Sequence, residues 1–166
     1  MSQATAPKIS ILGDGISTFE GCTPRVGSFY SPSYASYSGF NTAEGTWWMQ
    51  AIEQLGGRFL CNNSFTGSYV CYTGHYSAAL PGRIRTLATE TEKPDVIFIY
   101  TGLNDAANAV PTDLFQRDYE EMLSRVQKFF PEAKVWVGTL MVGDAPTVGR
   151  PYYIEPECFE TLEDYN

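Results

Sequence analysis

Two short runs limit what this chain can fold into more than any other feature: VIFIY at 96–100 and VWVGTL at 135–140 are almost unbroken apolar stretches of strand length. Such runs, without polar alternation, are expected where both faces of a sheet are covered, as in a parallel sheet between helix layers. With KISIL and RFLCN they give four predicted strands, at 8–12, 58–62, 95–100 and 134–140. Helix-like segments lie between them at 47–55, ahead of Gly56 and Gly57, at 80–87, and at 113–130. The last is the clearest: Phe115, Tyr119, Met122, Val126, Phe129 and Phe130 recur at helical spacing, with Pro131 beyond them. Strands alternating with helices imply βαβ crossovers, hence an α/β domain of three layers around a parallel sheet.

Length and charge narrow the function. A chain of 166 residues is about one domain long and at that size buries roughly 70% of its unfolded surface. Hydrophobic residues at 43% and charged residues at 18% suit a soluble globular protein. No apolar run approaches the ~18 residues of a bilayer span, so none is expected. The N-terminal MSQATAPK has neither a basic nor an apolar stretch, so no export signal is expected and the compartment stays unassigned. A net charge of −8 opposes binding to phosphate backbones, which argues against a nucleic-acid partner. Cys22, Cys61, Cys71 and Cys158 show no C-x-x-C spacing and His75 is the only histidine, so no metal site is expected. The cysteines read as small buried hydrophobes; pairing of Cys61 with Cys71 in an oxidising compartment stays open.

Three short motifs follow three of the strands: Gly13-Asp14-Gly15, then NNSFTGS with Gly67, then TGLND with Gly102, Asn104 and Asp105. Two long loops rich in Tyr, Ser and Gly, 22–45 and 66–82, would emerge at the same ends. Open α/β sheets place their sites at the carboxyl ends of parallel strands. An Asn104 amide and a Gly67 N–H converging on one point are what an oxyanion hole requires.

These motifs carry a family resemblance. ILGDGISTFEG is similar to the first block of the SGNH hydrolases, the GDSL family of esterases and lipases, which usually reads G-D-S; NNSFTGS resembles the second block and TGLND the third. TWWMQAIEQLGG and KPDVIFIYTGLNDA resemble the framework of one esterase branch, so the match runs along essentially the whole chain. The resemblance implies a flavodoxin-like α/β/α domain of five parallel strands, and ester hydrolysis through an acyl-enzyme without a cofactor. In that mechanism a serine attacks, a histidine takes its proton, and an aspartate three residues earlier orients the ring. The oxyanion would be held by the N–H at position 15, the Gly67 N–H and the Asn104 amide. Tyr69, Tyr72 and His75 would meet the substrate, a carbohydrate or small-acyl ester.

Two departures strike that chemistry. Gly15 stands where the family has its serine; no histidine follows His75, and Tyr72 stands three residues before it. Residues 1–166 are therefore expected to form a single SGNH-like domain, C-terminally incomplete: four strands without the fifth and without the D-x-x-H block. A segment opening near Glu157, with Phe159, Leu162 and Tyr165, reads as the start of an amphipathic helix. The expected activity is that of an ester hydrolase in inactive form. The alternatives are a binding module that holds acetate, an anion or a sugar in the retained pocket, and an interaction protein whose open sheet edge a second chain or segment completes. Whether Gly15 reflects a knockout, a natural pseudoenzyme or one part of a split protein stays open. Asp14 is expected to brace its turn by hydrogen bonds, Ser17 to serve as a helix-start hydroxyl, and Asp105 to satisfy backbone donors in its own turn. Apolar faces at Val135, Val137 and Leu140 are expected to be exposed.

Overall fold

A computed structural model of the chain describes residues 5–24, 27–34, 39–73 and 76–140. Its strands are β1 (Lys8–Gly13), β2 (Arg58–Ser64), β3 (Val96–Tyr100) and β4 (Lys134–Val137); its helices are α1 (Trp47–Gln54), α2 (Pro81–Arg85), α3 (Leu103–Ala107) and α4 (Thr112–Phe129). The sheet has the order β2-β1-β3-β4 with every pair parallel. β1 therefore sits between the next two strands of the sequence, and the crevice above β1 and β3 is the topological switch point of a doubly wound sheet. β1 and β3 run in step from Ile9 opposite Val96 to Gly13 opposite Tyr100, so the Gly13-Asp14-Gly15 and TGLND motifs leave the sheet side by side.

The continuous apolar runs are explained by packing on both faces. Ile9, Ile11, Val96 and Phe98 pack with Trp48 and Ile52 of α1 and with Phe19. Leu12, Ile97 and Ile99 pack with Ile84, Leu87 and the inner stripe of α4, namely Phe115, Met122 and Val126. Helix layers on both faces give the three-layer α/β/α architecture. Thr46 caps α1, its Oγ1 accepting the Met49 N–H at 3.3 Å. Tyr30 and Phe40, from the loop before α1, have ring centroids 5.1 Å apart and pack against the same core cluster, so part of that loop's aromatic content serves packing.

The elements differ from expectation in four places. β4 ends at Val137 rather than 140, because the chain beyond it turns Leu140 into a small cluster with Leu103 and Ala106. The second helix covers only Pro81–Arg85; Thr86 closes it by donating its hydroxyl to the Arg83 carbonyl, and Leu87 is buried without being helical. α3 occupies a stretch read as a turn, and a five-residue helix is too short to display a period. Of the β4 residues expected to be exposed, Val137 is (49%), Val135 packs against the α4 layer, and Leu140 is buried; Trp136 at 48% is the unforeseen one. Among the described residues β4 pairs with β3 alone. The helix expected from residue 157 lies outside the described residues. Cys22, Cys61 and Cys71 are free thiols, so Cys61 and Cys71 are not paired. No helix among the described residues is long and apolar enough to cross a membrane, and no cluster of metal-ligating side chains occurs among them.

Candidate active site

The end of β1 is set by close approach. A Cβ on Gly13 would lie 2.6 Å from Ser17 Oγ and 2.9 Å from Ser64 Oγ, so only glycine fits. The chain then enters a short 3-10 turn, Gly15–Ser17, capped by Asp14, whose Oδ1 accepts the Ile16 N–H at 3.2 Å. Asp14 is 1% exposed, and its Oδ2 has no hydrogen-bond partner among the described residues. Burial pushes its carboxyl up to about 7; the Ile16 and Leu103 N–H groups pull it down, Asp105 pushes it further up and Arg83 opposes that. Ser17 ends the turn rather than starting a helix. Its hydroxyl accepts the Trp47 indole N–H at 3.2 Å and its carbonyl accepts the Asn62 amide at 2.8 Å, which ties it to α1 and β2.

Gly15 is held under different rules. Its backbone lies outside the left-handed region, and the atoms nearest a Cβ there would be those of Thr66, at 3.5–3.6 Å, an ordinary van der Waals contact. Neither conformation nor space demands glycine at this position. Gly13→Ala is expected to cost about 1–3 kcal/mol through overpacking, whereas Gly15→Ala should be neutral or stabilising by up to about 1 kcal/mol. Urea denaturation of the two variants checks the contrast, and equal losses would contradict it.

The loop after β2 connects the remaining parts. Gly67 adopts φ of +74°, a conformation at which glycine alone is at ease, and the space where its Cβ would point is open. Asn104, in the first turn of α3, donates its amide to the Ser68 carbonyl at 2.8 Å. Thr66 thus lies where a Cβ on Gly15 would point, the Ser68 carbonyl holds Asn104, and Gly67 stands between the two. Gly15, Gly67 and Asn104 are gathered around one three-residue segment at the tips of β1, β2 and β3.

The supporting residues are arranged less locally than expected. Asp105 does not serve its own turn alone: it reaches across to the loop after β2, where its two carboxylate oxygens accept the Val70 N–H at 2.8 Å and the Cys71 N–H at 3.0 Å. Its carboxyl is raised, chiefly by burial. Asp118 of α4 holds the next residue, accepting the Tyr72 N–H at 3.0 Å. Tyr72 is exposed, with its ring under the Arg125 guanidinium at 5.1 Å. Tyr69 is half-buried directly after Ser68. His75 lies outside the described residues.

One site residue carries no sequence signal. Arg83, in the unremarkable stretch GRIRT, is buried and donates to the Gly13 carbonyl at 3.0 Å and to both the side chain and the carbonyl of Asn63, at 2.9 and 2.6 Å. It also donates to the Ser68 hydroxyl and the Tyr76 carbonyl. It joins the end of β1 to both sides of the Gly67 loop.

A three-layer parallel domain with glycine and asparagine turns gathered at the tips of its first three strands is of the SGNH hydrolase class. The family model for GDSL-like lipases/acylhydrolases matches residues 7–142, and the chain belongs to that family. Among solved structures it is similar to a protein described as a GDSL-like lipase from Bacteroides ovatus, with 24% identity over 98% of this chain and 79% of that one and a TM-score of 0.73. A second such protein, from Bacteroides uniformis, is 26% identical over 96% of this chain and 78% of that one, with a TM-score of 0.71. A family two carbohydrate esterase from Clostridium thermocellum, in complex with cellohexaose, shares the fold at 19% identity over 87% of this chain and 47% of that one, with a TM-score of 0.50. No curated protein matches the sequence significantly.

Proposed function

We propose that Gly15, Gly67 and Asn104 form the acyl-binding site of an ester hydrolase lineage acting on carbohydrate or small-acyl esters, and that with glycine at position 15 this site holds an acyl group or carboxylate without cleaving it. The reading is carried by the placement of Gly15 and Asn104 about the segment around Gly67: Thr66 lies where a Cβ on Gly15 would point, and the Ser68 carbonyl accepts the Asn104 amide. The Gly15 and Gly67 N–H groups have no partner among the described residues, and one hydrogen of the Asn104 amide remains after the bond to Ser68. Converging on one point, these three donors would stabilise a carbonyl oxygen as it gains negative charge.

What is missing is the attacking atom. Glycine has no hydroxyl to acylate, so no covalent intermediate forms. A hydrolase stripped of its triad keeps roughly 10³–10⁴-fold acceleration over water from binding and oxyanion donors alone, which amounts to no useful turnover. The carbohydrate part of the reading is supported by Tyr69, placed beside the Gly67 loop, and by the fold shared with the cellohexaose-bound carbohydrate esterase.

Two measurements test it. Calorimetry with acetate and acetylated xylo-oligosaccharides should show binding with the ester left intact. Gly15→Ser, treated with p-nitrophenyl acetate and imidazole as an external base, should acquire an acetyl group at position 15, detected by peptide mass spectrometry. A variant that acylates there no faster than the parent chain, together with heatless titrations, would overturn the reading.

A further inference from the structure

Arg83 is 7% exposed, yet among the described residues no carboxylate lies within ion-pair distance of its guanidinium. Arginine presents five N–H donors in a rigid fork, and here all five are engaged by uncharged acceptors. Nε donates to Asn63 Oδ1, one terminal nitrogen to the carbonyls of Gly13 and Asn63, and the other to the Ser68 hydroxyl and the Tyr76 carbonyl. The guanidinium also lies over the Phe65 ring, 4.7 Å from its centroid. These acceptors are the last residue of β1 and residues on either side of Gly67.

A buried cation without a matched anion is costly even when every N–H is satisfied, because hydrogen bonds to neutral groups do not cancel its charge. Its guanidinium is pushed down to about 9 by burial, with Asp14 as the charge that opposes the shift. A bound anion would supply the matching charge that the described residues do not place within ion-pair distance. The turn and the loop that Arg83 holds together are those that carry the free N–H groups of Gly15 and Gly67.

We infer that Arg83 is the positioning and charge-selecting residue of the acyl site: it fixes the spacing of the Gly15 and Gly67 donors and gives the site a preference for a small carboxylate over a neutral ligand of the same shape. This rests on the acyl site proposed above. Acetate and acetamide are near isosteres that differ in charge, so the ratio of their affinities isolates the electrostatic contribution from the steric one.

The test is NMR titration of the full chain with each ligand, following the backbone amides of Gly15 and Gly67. The native chain should bind acetate at least about tenfold tighter than acetamide, the ratio that 1.4 kcal/mol represents. Arg83→Met should bring the two affinities together, and Arg83→Lys, which keeps the charge but loses the fork, should weaken both ligands while retaining a preference for acetate. An Arg83→Met variant that loses both ligands by the same factor would assign arginine a purely structural role and overturn the inference. If Arg83→Met does not fold, the native ratio still decides: equal affinities overturn the inference alone, and binding of neither ligand overturns the acyl site beneath it.

Discussion

Asp14→Asn is expected to stabilise the protein at pH 8 by about 4 kcal/mol, with the gain vanishing near pH 4. In the native state the Asp14 carboxyl holds its proton until about pH 7, against an ordinary value of 3.8. The unfolded chain releases that proton near the ordinary value. Between the two, each unit of rising pH removes roughly 1.4 kcal/mol of stability. The stabilising contribution is therefore complete below pH 4 and gone above pH 7. Asparagine has no proton to lose and retains the oxygen that caps the Ile16 N–H. The charged groups that act on Asp14 are Arg83 and Asp105, and neither reverses the sign set by burial. Urea denaturation of both proteins from pH 4 to pH 8 checks this; parallel stability profiles would contradict it. The same titration bears on the proposed acyl site. With Asp14 neutral, Arg83 has no opposing charge, so acetate should bind more tightly at pH 6 than at pH 8 in the native chain and equally at both in Asp14→Asn.

Asp105→Ala is expected to destabilise the protein by about 2–5 kcal/mol. The side chain is fully buried and accepts two buried backbone N–H groups from the loop after β2. Each N–H orphaned by the substitution costs roughly 1–3 kcal/mol. Removing a buried carboxylate also relieves a desolvation cost, which is why the carboxyl is raised, but that relief is smaller than two unmet donors plus the cavity. Asp105→Asn keeps one acceptor and should lose about half as much. Because Val70 and Cys71 follow the Gly67 segment directly, amide exchange at 66–71 should accelerate in Asp105→Ala before global unfolding does. Exchange rates unchanged in that segment would show that the loop is held by other contacts.

The parts of this molecule that were legible in the sequence are those whose partners lie close by or whose pattern is periodic. VIFIY announces a strand covered on both faces, and Phe115, Met122 and Val126 announce a helix, because burial repeats with the geometry of the backbone. Gly67 and Asn104 were readable only as a set, since each alone is an ordinary turn residue and only their succession at three strand tips is informative. Asp105 was assigned mainly to its own turn, whereas its acceptor bonds reach back 34 and 35 residues. Tyr72, read as a ligand contact, is exposed, and its ring lies beneath the Arg125 guanidinium of α4. Arg83 gave no signal, because a charged residue in a short helix normally means solvent and its acceptors are mostly main-chain carbonyls on two other strand ends. A local pattern cannot encode a partner that only the crossover brings near.

The unstrained backbone at Gly15 has an evolutionary consequence. A protein stability screen would pass glycine, alanine or serine there almost alike, so selection for folding is blind to the position at which the family carries its serine. Glycine and serine codons are a single base change apart. A lineage carrying this scaffold can therefore gain or lose the hydroxyl at position 15 while its architecture registers neither step.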